Sequence, residues 1–461
     1  MIQQLKEHKS EDIKWLVTLG SSALVMLIPE TQVLTMQIKG FLAITVFGVE
    51  VCAFNLVSNV MIGICLPLLY MLFGIAPGSV VFEGWTGTLP MVTFGTLLLA
   101  VLLEECGLLK RIALFAISKS GGTYKGICFA LCFAGLLCSL MTSCCVQYIF
   151  APLAYGVCKT LNMKPSKQSA GIMFAAAMGT ITANGIIPYP GFIGVLTAGA
   201  STADDPITLG WLETLKYTWP GVLFLLFYLW FMLTFLIKEP RLNAKETFDQ
   251  QYRDLGPISK NEKKAIVIMA AVLISLLLSQ FTGMDTAWPF MLSPWVFFLP
   301  GIRIGNESTL KKMNYGMVFL IVAFISIGSV SNYVGLADIV SSVILEHFSS
   351  NSVLLVVLLT IVLGVLMNFL LTPLGYFSAL SGVVGSLFRA SGLSVICGLL
   401  IFQYTSDLVV LPYENMAYLV YYSFGMISMK DFAKLYAPKM VLMPVFICTV
   451  MLGYWKLIGL I

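Results

Sequence analysis

The chain has 461 residues, of which 58% are hydrophobic and only 11% are charged, and its mean hydropathy is +0.91. This is more apolar surface than a water-soluble domain can bury, so the composition excludes a soluble globular protein and indicates a polytopic, all-α membrane protein. The net charge of +4 reflects basic residues placed in loops, and no basic aromatic patch that would indicate a nucleic-acid partner is present.

Apolar stretches recur along the whole chain. A membrane core of roughly 30 Å needs about 20 apolar residues per helical crossing. Several stretches are too short for a full crossing, which predicts helices that are interrupted inside the membrane. The predicted spans are residues 15–28, 38–57, 61–75, 91–108, 171–181, 217–237, 265–280, 294–304, 315–333, 393–410, 417–426 and 441–458.

The chain start and the rare residue types narrow the class of protein further. Residues 1–14 are charged and polar, so we expect no cleavable signal peptide and a first span that inserts the chain from a cytoplasmic N-terminus. The eleven cysteines lie almost wholly in apolar stretches without CxxC spacing, and we interpret them as packing residues. The two histidines, His8 and His347, are far apart, so neither a histidine metal site nor a Ser/His triad is predicted, and we expect no enzyme.

The basic residues predict the topology, because lysine and arginine in short loops mark the cytoplasmic side. Residues 126–157 have basic clusters on both sides and are longer than one span needs, which predicts a re-entrant hairpin with its tip at residues 142–145. The same counting places the C-terminus outside. The clusters are Lys6/Lys9/Lys14, Lys110/Arg111/Lys119/Lys125, Lys159/Lys164/Lys167, residues 238–264, Arg303/Lys311/Lys312 and Lys430/Lys434/Lys439.

A hydrophilic stretch, residues 238–264, has no apolar periodicity and is interpreted as a cytoplasmic linker. It divides the chain into an N-terminal half, residues 1–237, and a C-terminal half, residues 265–461. In the N-terminal half the hairpin is followed by a broken helix, residues 168–200, with the interruption Ile187-Pro188-Tyr189-Pro190.

The C-terminal half repeats this order. A second hairpin is predicted at residues 353–387, with its tip at Leu371-Thr372-Pro373, and a second broken helix at residues 393–426, interrupted at Leu411-Pro412-Tyr413-Glu414. A hairpin and a broken helix repeated in opposite topology are typical of a secondary transporter whose site lies where the halves meet near the membrane midplane. There, helix N-termini favour an anion, and unwound carbonyl or side-chain oxygens favour a hard cation.

The chain resembles the divalent anion/sodium symporter family, which carries dicarboxylates, citrate or sulfate. The resemblance covers nearly the whole chain, including Glu-Glu-Cys-Gly-Leu-Leu-Lys-Arg-Ile within residues 102–118, both hairpins, both breaks and the closing helix. It implies the family's fold, an elevator-like mechanism and a homodimeric scaffold. In that family each tip is Ser-Asn-Thr, which contacts substrate carboxylate and sodium, and each break is of the Thr-Pro-Pro-Asn type. Here the tips read Thr142-Ser143-Cys144 and Leu371-Thr372-Pro373, and the second break reads Pro412-Tyr413-Glu414-Asn415. The first break is either Ile187-Pro188-Tyr189-Pro190 or, if it is anchored on Met178-Gly179-Thr180, Asn184-Gly185-Ile186-Ile187, so substrate and coupling ion stay open.

These positions supply the candidate site residues. The hydroxyl groups could instead bond back to their own helix turn, the asparagines could cap helices, and the prolines could do no more than create the breaks. The candidates for substrate binding are Thr142, Ser143, Cys144, Pro188, Thr372, Pro373, Pro412 and Glu414. The candidates for cation coupling are Ser143, Asn184, Thr372, Asp407, Glu414 and Asn415.

Glu414 departs most from the family's pattern, because a carboxylate at membrane depth is costly and indicates function. It could carry a proton, bind sodium or pair with an amino group of the substrate; the alternative is a structural hydrogen bond to neighbouring backbone. The same three functional roles are considered for Asp407, but the sequence favours them less, because Asp407 precedes the break. For Glu50, which lies away from both hairpins, we predict a structural hydrogen bond.

These features predict a secondary active transporter with two inverted repeats. We expect it to carry a small organic anion, a carboxylate, coupled to sodium or protons, with no other cofactor. A zwitterionic or amine-bearing substrate is an alternative, and so is a membrane sensor that binds a ligand without moving it. The expected location is a cell membrane, the bacterial inner membrane, with a homodimer as the assembled form.

Overall fold

The computed structural model describes residues 2–31, 34–54, 56–142, 146–188, 190–202, 205–237, 244–282, 284–285, 287–336, 352–370 and 373–461. Within these ranges the protein is helical and contains no strand. The prediction of an all-α fold is confirmed.

The N-terminal half consists of helices joined mostly by short turns, together with one 3₁₀ turn, Thr182–Gly185. The helices are Ile2–Leu27, Met36–Ala53, Asn59–Leu72, Gly78–Val81, Glu83–Thr86, Leu89–Glu105, Leu108–Lys119, Tyr124–Thr142, Gln147–Thr160, Lys167–Thr180, Pro190–Ala200, Trp211–Thr218 and Gly221–Phe235.

The C-terminal half follows after one helix in the linker, Lys245–Asp254, and includes a 3₁₀ turn, Pro412–Glu414, and a π-helical turn, Ile447–Met451. Its helices are Lys260–Thr282, Ala287–Val296, Glu307–Lys311, Tyr315–Tyr333, Val353–Leu370, Pro373–Ala390, Val395–Thr405, Met416–Ser423, Met429–Tyr436, Lys439–Phe446 and Leu452–Leu457.

Among the described residues, three helical segments are long and apolar enough to cross a membrane: Tyr124–Thr142, Tyr315–Tyr333 and Met429–Leu457. The number rises to five if two bent pairs each form one span. One pair, on either side of Gly107, bends by 63°, because this glycine adopts φ +79°. The other pair bends by 49° next to Pro220, which has no N–H to continue the helix.

Two helical pairs bracket the predicted hairpin tips: Tyr124–Thr142 with Gln147–Thr160, and Val353–Leu370 with Pro373–Ala390. The first arm of the first hairpin packs closely on the helix that ends at Thr180. This contact depends on Gly179, where a Cβ atom would lie 2.2 Å from the carbonyl oxygen of Cys132. The absence of a side chain at Gly179 therefore allows the backbones of Tyr124–Thr142 and Lys167–Thr180 to pack directly against each other.

Each hairpin is followed by an interrupted helix. The first interruption, residues 181–188 and here called the first break, separates Lys167–Thr180 from Pro190–Ala200. The second, residues 406–415 and here called the second break, separates Val395–Thr405 from Met416–Ser423. Each break contains a proline, which lacks a backbone N–H, and a 3₁₀ turn.

The linker is more ordered than its composition indicates. Helix Lys245–Asp254 lies within it and buries Phe248, which is 0% exposed. Arg111 of the N-terminal half bonds bidentately to Glu262, with Nε 2.5 Å from Oε1 and Nη2 3.1 Å from Oε2. Arg111 also donates to the carbonyl oxygen of Gly256 at 3.0 Å. The linker is therefore fastened to the first half by a charged anchor.

Candidate functional site

The first break lies against the end of the helix that precedes the second break. The side-chain amide of Gln403, at the end of the helix before the second break, donates to the carbonyl oxygen of Asn184 in the first break at 2.9 Å. The ring of Tyr404 lies beside Gly185, where an added Cβ would be 3.2 Å from the ring. Thr180, just before the first break, bonds to the hydroxyl of Tyr421 at 2.7 Å. The structure thus joins the two halves through their interrupted helices.

Each hairpin contacts its own broken helix in a matching way. Ser139 donates to the carbonyl oxygen of Gly179 at 3.4 Å, and Asn368 donates to the carbonyl oxygen of Thr405 at 2.5 Å. In the sequence, Ser139 lies four residues before Ser143 and Asn368 lies four residues before Thr372. Both acceptors lie at the end of the helix that precedes the break. The repeat is therefore visible in side-chain contacts as well as in helix order.

A buried ion pair bridges the two breaks. Nζ of Lys439 lies 2.7 Å from Oδ2 of Asp407 in the second break and 3.1 Å from Oγ1 of Thr182 in the first. The hydroxyl of Tyr418 donates to the other carboxylate oxygen of Asp407. The Lys439 side chain is 0% exposed and the Asp407 side chain 8% exposed.

The structure therefore corrects the use of Lys439 as a marker of a cytoplasmic loop. That prediction is wrong, because the side chain lies inside the protein and not in a solvated loop. Lys439 immediately follows Pro438 and precedes the apolar stretch 441–458. The sequence did indicate that Asp407 has a partner, because a carboxylate inside an apolar stretch requires a cationic or hydrogen-bonding group next to it.

Glu414 is buried at the second break. Its Oε1 accepts hydrogen bonds from the backbone N–H groups of Val410 at 3.1 Å and Leu411 at 2.7 Å. Its Oε2 is buried and has no hydrogen-bond partner among the described residues. The backbone contact is the structural role considered for this residue.

Asn415 acts as a helix cap. Its Oδ1 accepts from the N–H of Ala417 at 3.0 Å, and its amide donates to the carbonyl oxygen of Ser406 at 3.3 Å. Asn184 contributes its backbone carbonyl to the contact with Gln403. Capping, the alternative considered for the asparagines, is thus the geometry found at Asn415.

The remaining candidates occupy the tips and break edges. Thr142 is buried, and its hydroxyl bonds back to the carbonyl oxygen of Cys138 at 3.2 Å. Pro373 is the first residue of the second hairpin's outgoing arm, and Pro412 begins the 3₁₀ turn of the second break. Ser143, Cys144 and Thr372 lie outside the described residues.

An open cavity of about 890 Å³ reaches the first break at Pro188. Its walls come from helices Pro190–Ala200 and Trp211–Thr218 and from the starts of helices Leu89–Glu105 and Ala287–Val296. Charged side chains line it as well: Glu213, Lys216 and Asp285. Of the candidate site residues that the structure describes, Pro188 is the one that lines this cavity.

No group of three or more His, Cys, Asp or Glu side chains that could hold a metal ion occurs in the described part of the chain. A hard cation can also bind to backbone carbonyl and hydroxyl oxygens. The polar groups at the breaks are of that kind. Thr182 and Asp407 already share the ammonium of Lys439.

Comparisons with known proteins place these features in a family. A search among curated proteins found no match. The crystal structure of the Alcanivorax borkumensis YdaH transporter, reported to have an unusual topology, is similar in fold, with a TM-score of 0.53 at 14% identity over 97% of this chain and 98% of that one. Residues 9–461 match the family described as the sodium:sulfate symporter transmembrane region. The expected resemblance is confirmed: the chain belongs to the sodium:sulfate symporter family, whose members are multi-pass secondary transporters and not enzymes.

Proposed function

We propose that this protein carries a small organic anion, a carboxylate, across the membrane. The observation that carries the proposal is that four helices begin at the tips and breaks: Gln147–Thr160, Pro190–Ala200, Pro373–Ala390 and Met416–Ser423. Backbone N–H groups that lack an intrahelical partner, together with the positive end of the helix dipole, stabilise an anion at such N-termini. At Met416–Ser423 the side chain of Asn415 already accepts from one of these groups, the N–H of Ala417. Hydrogen bonds join the first arm of each hairpin to its broken helix and the two broken helices to each other, so these N-termini belong to one connected set of helices.

Coupling to protons is supported by Glu414. A buried ionised carboxylate with an oxygen that accepts no hydrogen bond is costly, whereas a neutral carboxyl is tolerated more easily. Oε1 is held by two backbone N–H groups and Oε2 is free of partners among the described residues, which suits a group that gains and loses a proton. Sodium is the alternative coupling ion, in agreement with the family's name.

The proposed movement is elevator-like. Hydrogen bonds from Ser139 and Asn368 tie each hairpin to a broken helix, and Gln403 ties the two broken helices together. Such a body can move as a unit against a scaffold of the remaining helices in a homodimer. We place the protein in a bacterial inner membrane with its N-terminus in the cytoplasm.

The test is uptake by the purified full chain in proteoliposomes, with radiolabelled succinate, citrate and sulfate as probes. We expect succinate or citrate to accumulate when an inward proton or sodium gradient is imposed, and accumulation to stop when an ionophore collapses that gradient. A protein that is thermally stabilised by a carboxylate yet never moves it would contradict transport and favour a sensor.

Glu414→Gln tests the coupling role. The amide oxygen can still accept from Val410 and Leu411, so the break is retained, but the side chain no longer carries a proton. We expect uptake by this variant to lose its dependence on pH while the protein still purifies as folded. Glu50→Gln is the matched control, because Glu50 accepts a hydrogen bond from Ser21 at 2.7 Å away from both breaks. An unchanged pH profile in Glu414→Gln would exclude Glu414 as the proton carrier.

A further inference from the structure

The ammonium group of Lys439 binds oxygen atoms from both halves of the protein at once. It donates to the Asp407 carboxylate, in the second break, at 2.7 Å and to the Thr182 hydroxyl, in the first break, at 3.1 Å. These contacts cross between elements that are remote in sequence. A carboxylate and a hydroxyl oxygen are also ligands that a hard metal cation selects.

The rest of the surroundings is suited to a cation. The rings of Tyr228, Tyr418 and Tyr436 lie with their centroids 5.7, 6.0 and 5.3 Å from Nζ of Lys439. Aromatic faces attract a positive charge within about 6 Å. Of the groups that contact Nζ in the described structure, Asp407 is the one with a formal charge.

A contribution to protein stability does not by itself explain why the Asp407–Lys439 ion pair is buried between the breaks. A buried ion pair can commonly be replaced by apolar side chains of similar volume without loss of stability. Moving each charge out of water also carries a desolvation penalty. An intramembrane ion pair kept in spite of these costs indicates a role in moving ions or substrate.

We propose that Lys439 is a tethered cation that takes, between the two breaks, the place a co-transported sodium ion would otherwise occupy. Its compact ammonium neutralises Asp407 and links the oxygen ligands of both breaks, as a bound ion would. Because the lysine is covalently attached, it cannot leave with the substrate. Transport therefore does not require sodium, in contrast to what the family's name indicates. This inference rests on the proposed anion transport and specifies its ion requirement.

The first test is thermal unfolding of the purified full chain in detergent, titrated with sodium chloride and, at matched ionic strength, with choline chloride. For the wild-type protein we expect the two salts to have the same effect. In Lys439→Ala, which removes the ammonium and leaves the Asp407 and Thr182 oxygens without it, we expect a saturable rise in apparent Tm with sodium that choline does not produce. Lys456→Ala, an exposed lysine in the last helix, is the control and should behave as wild type.

Two results would overturn the proposal. One is a saturable, sodium-specific rise in the apparent Tm of the wild-type protein. The other is a folded Lys439→Ala variant that sodium stabilises no more than choline does, because the ammonium would then be a structural group only. If Lys439→Ala cannot be purified, the wild-type titration and the uptake measurement below decide.

The second test is wild-type uptake in proteoliposomes with radiolabelled succinate and citrate. We expect equal rates when choline replaces sodium on both sides of the membrane, and a rate that falls to background without sodium would contradict the tethered cation. Absence of uptake under every condition would refute the proposed transport of carboxylates. The thermal titration needs no substrate, so it still decides the role of Lys439 in that case.

Discussion

Removing one partner of the Asp407–Lys439 pair should destabilise the protein strongly. Lys439→Met leaves the carboxylate of Asp407 in a site where its side chain is 8% exposed, with the Tyr418 hydroxyl as its remaining described partner. Breaking a buried pair in this way costs about 3–5 kcal/mol. Asp407→Asn leaves the fully buried ammonium with the Thr182 hydroxyl and the aromatic rings, and a loss of similar size is expected.

The double variant Asp407→Asn/Lys439→Met separates the ion pair from simple packing. It removes both charges together, so its loss of stability should be smaller than the sum of the two single losses by at least about 1 kcal/mol. The assay is denaturant-induced unfolding of all four proteins in mixed micelles, followed by intrinsic fluorescence. Lys456→Met, at an exposed position, should stay within about 0.5 kcal/mol of wild type. Additive single losses, or single losses below about 1 kcal/mol, would refute the buried pair.

Two further predictions concern packing and the linker. Gly179→Ala should lower stability by about 1–3 kcal/mol in the same unfolding assay, because its Cβ would lie 2.2 Å from a backbone oxygen. Gly156→Ala, whose Cβ meets nothing within 4 Å, should instead raise stability by roughly 0.5–1 kcal/mol. Burial acts to raise the pKa of Glu262, but hydrogen bonds from Arg111 and Ser259 hold it below the ordinary value. The contribution to stability is thus present above the ordinary glutamate pKa and lost as pH falls through the lowered one. Linker proteolysis should increase there, and Arg111→Ala should reduce that pH dependence, because the hydrogen bonds from Ser259 remain.

Glu50 shows what local pattern can predict in this protein. Its position in an apolar span, away from both hairpins, predicted a structural hydrogen bond, and Ser21 donates to its carboxylate at 2.7 Å. The all-α class was likewise predictable, because long apolar stretches leave a helix as the way to satisfy the backbone in a membrane. The two breaks were predicted from Pro188 and Pro412, because proline is disfavoured in a helix interior. Proline is not a sufficient signal by itself, since Pro67, Pro152, Pro294 and Pro444 lie inside helices of this protein.

The partners of Lys439 could be identified only from the packed structure. A rule that counts lysines by their distance from apolar stretches assigned it to a cytoplasmic loop, whereas the fold carries it to Asp407, 32 residues earlier, and to Thr182, 257 residues earlier. The helix within residues 238–264 was missed for a related reason, because its burial depends on Phe248 and on the anchor made by Arg111. Helix formation and interruption follow from forces within a few residues, but the partner of a buried charge depends on which distant helices pack together.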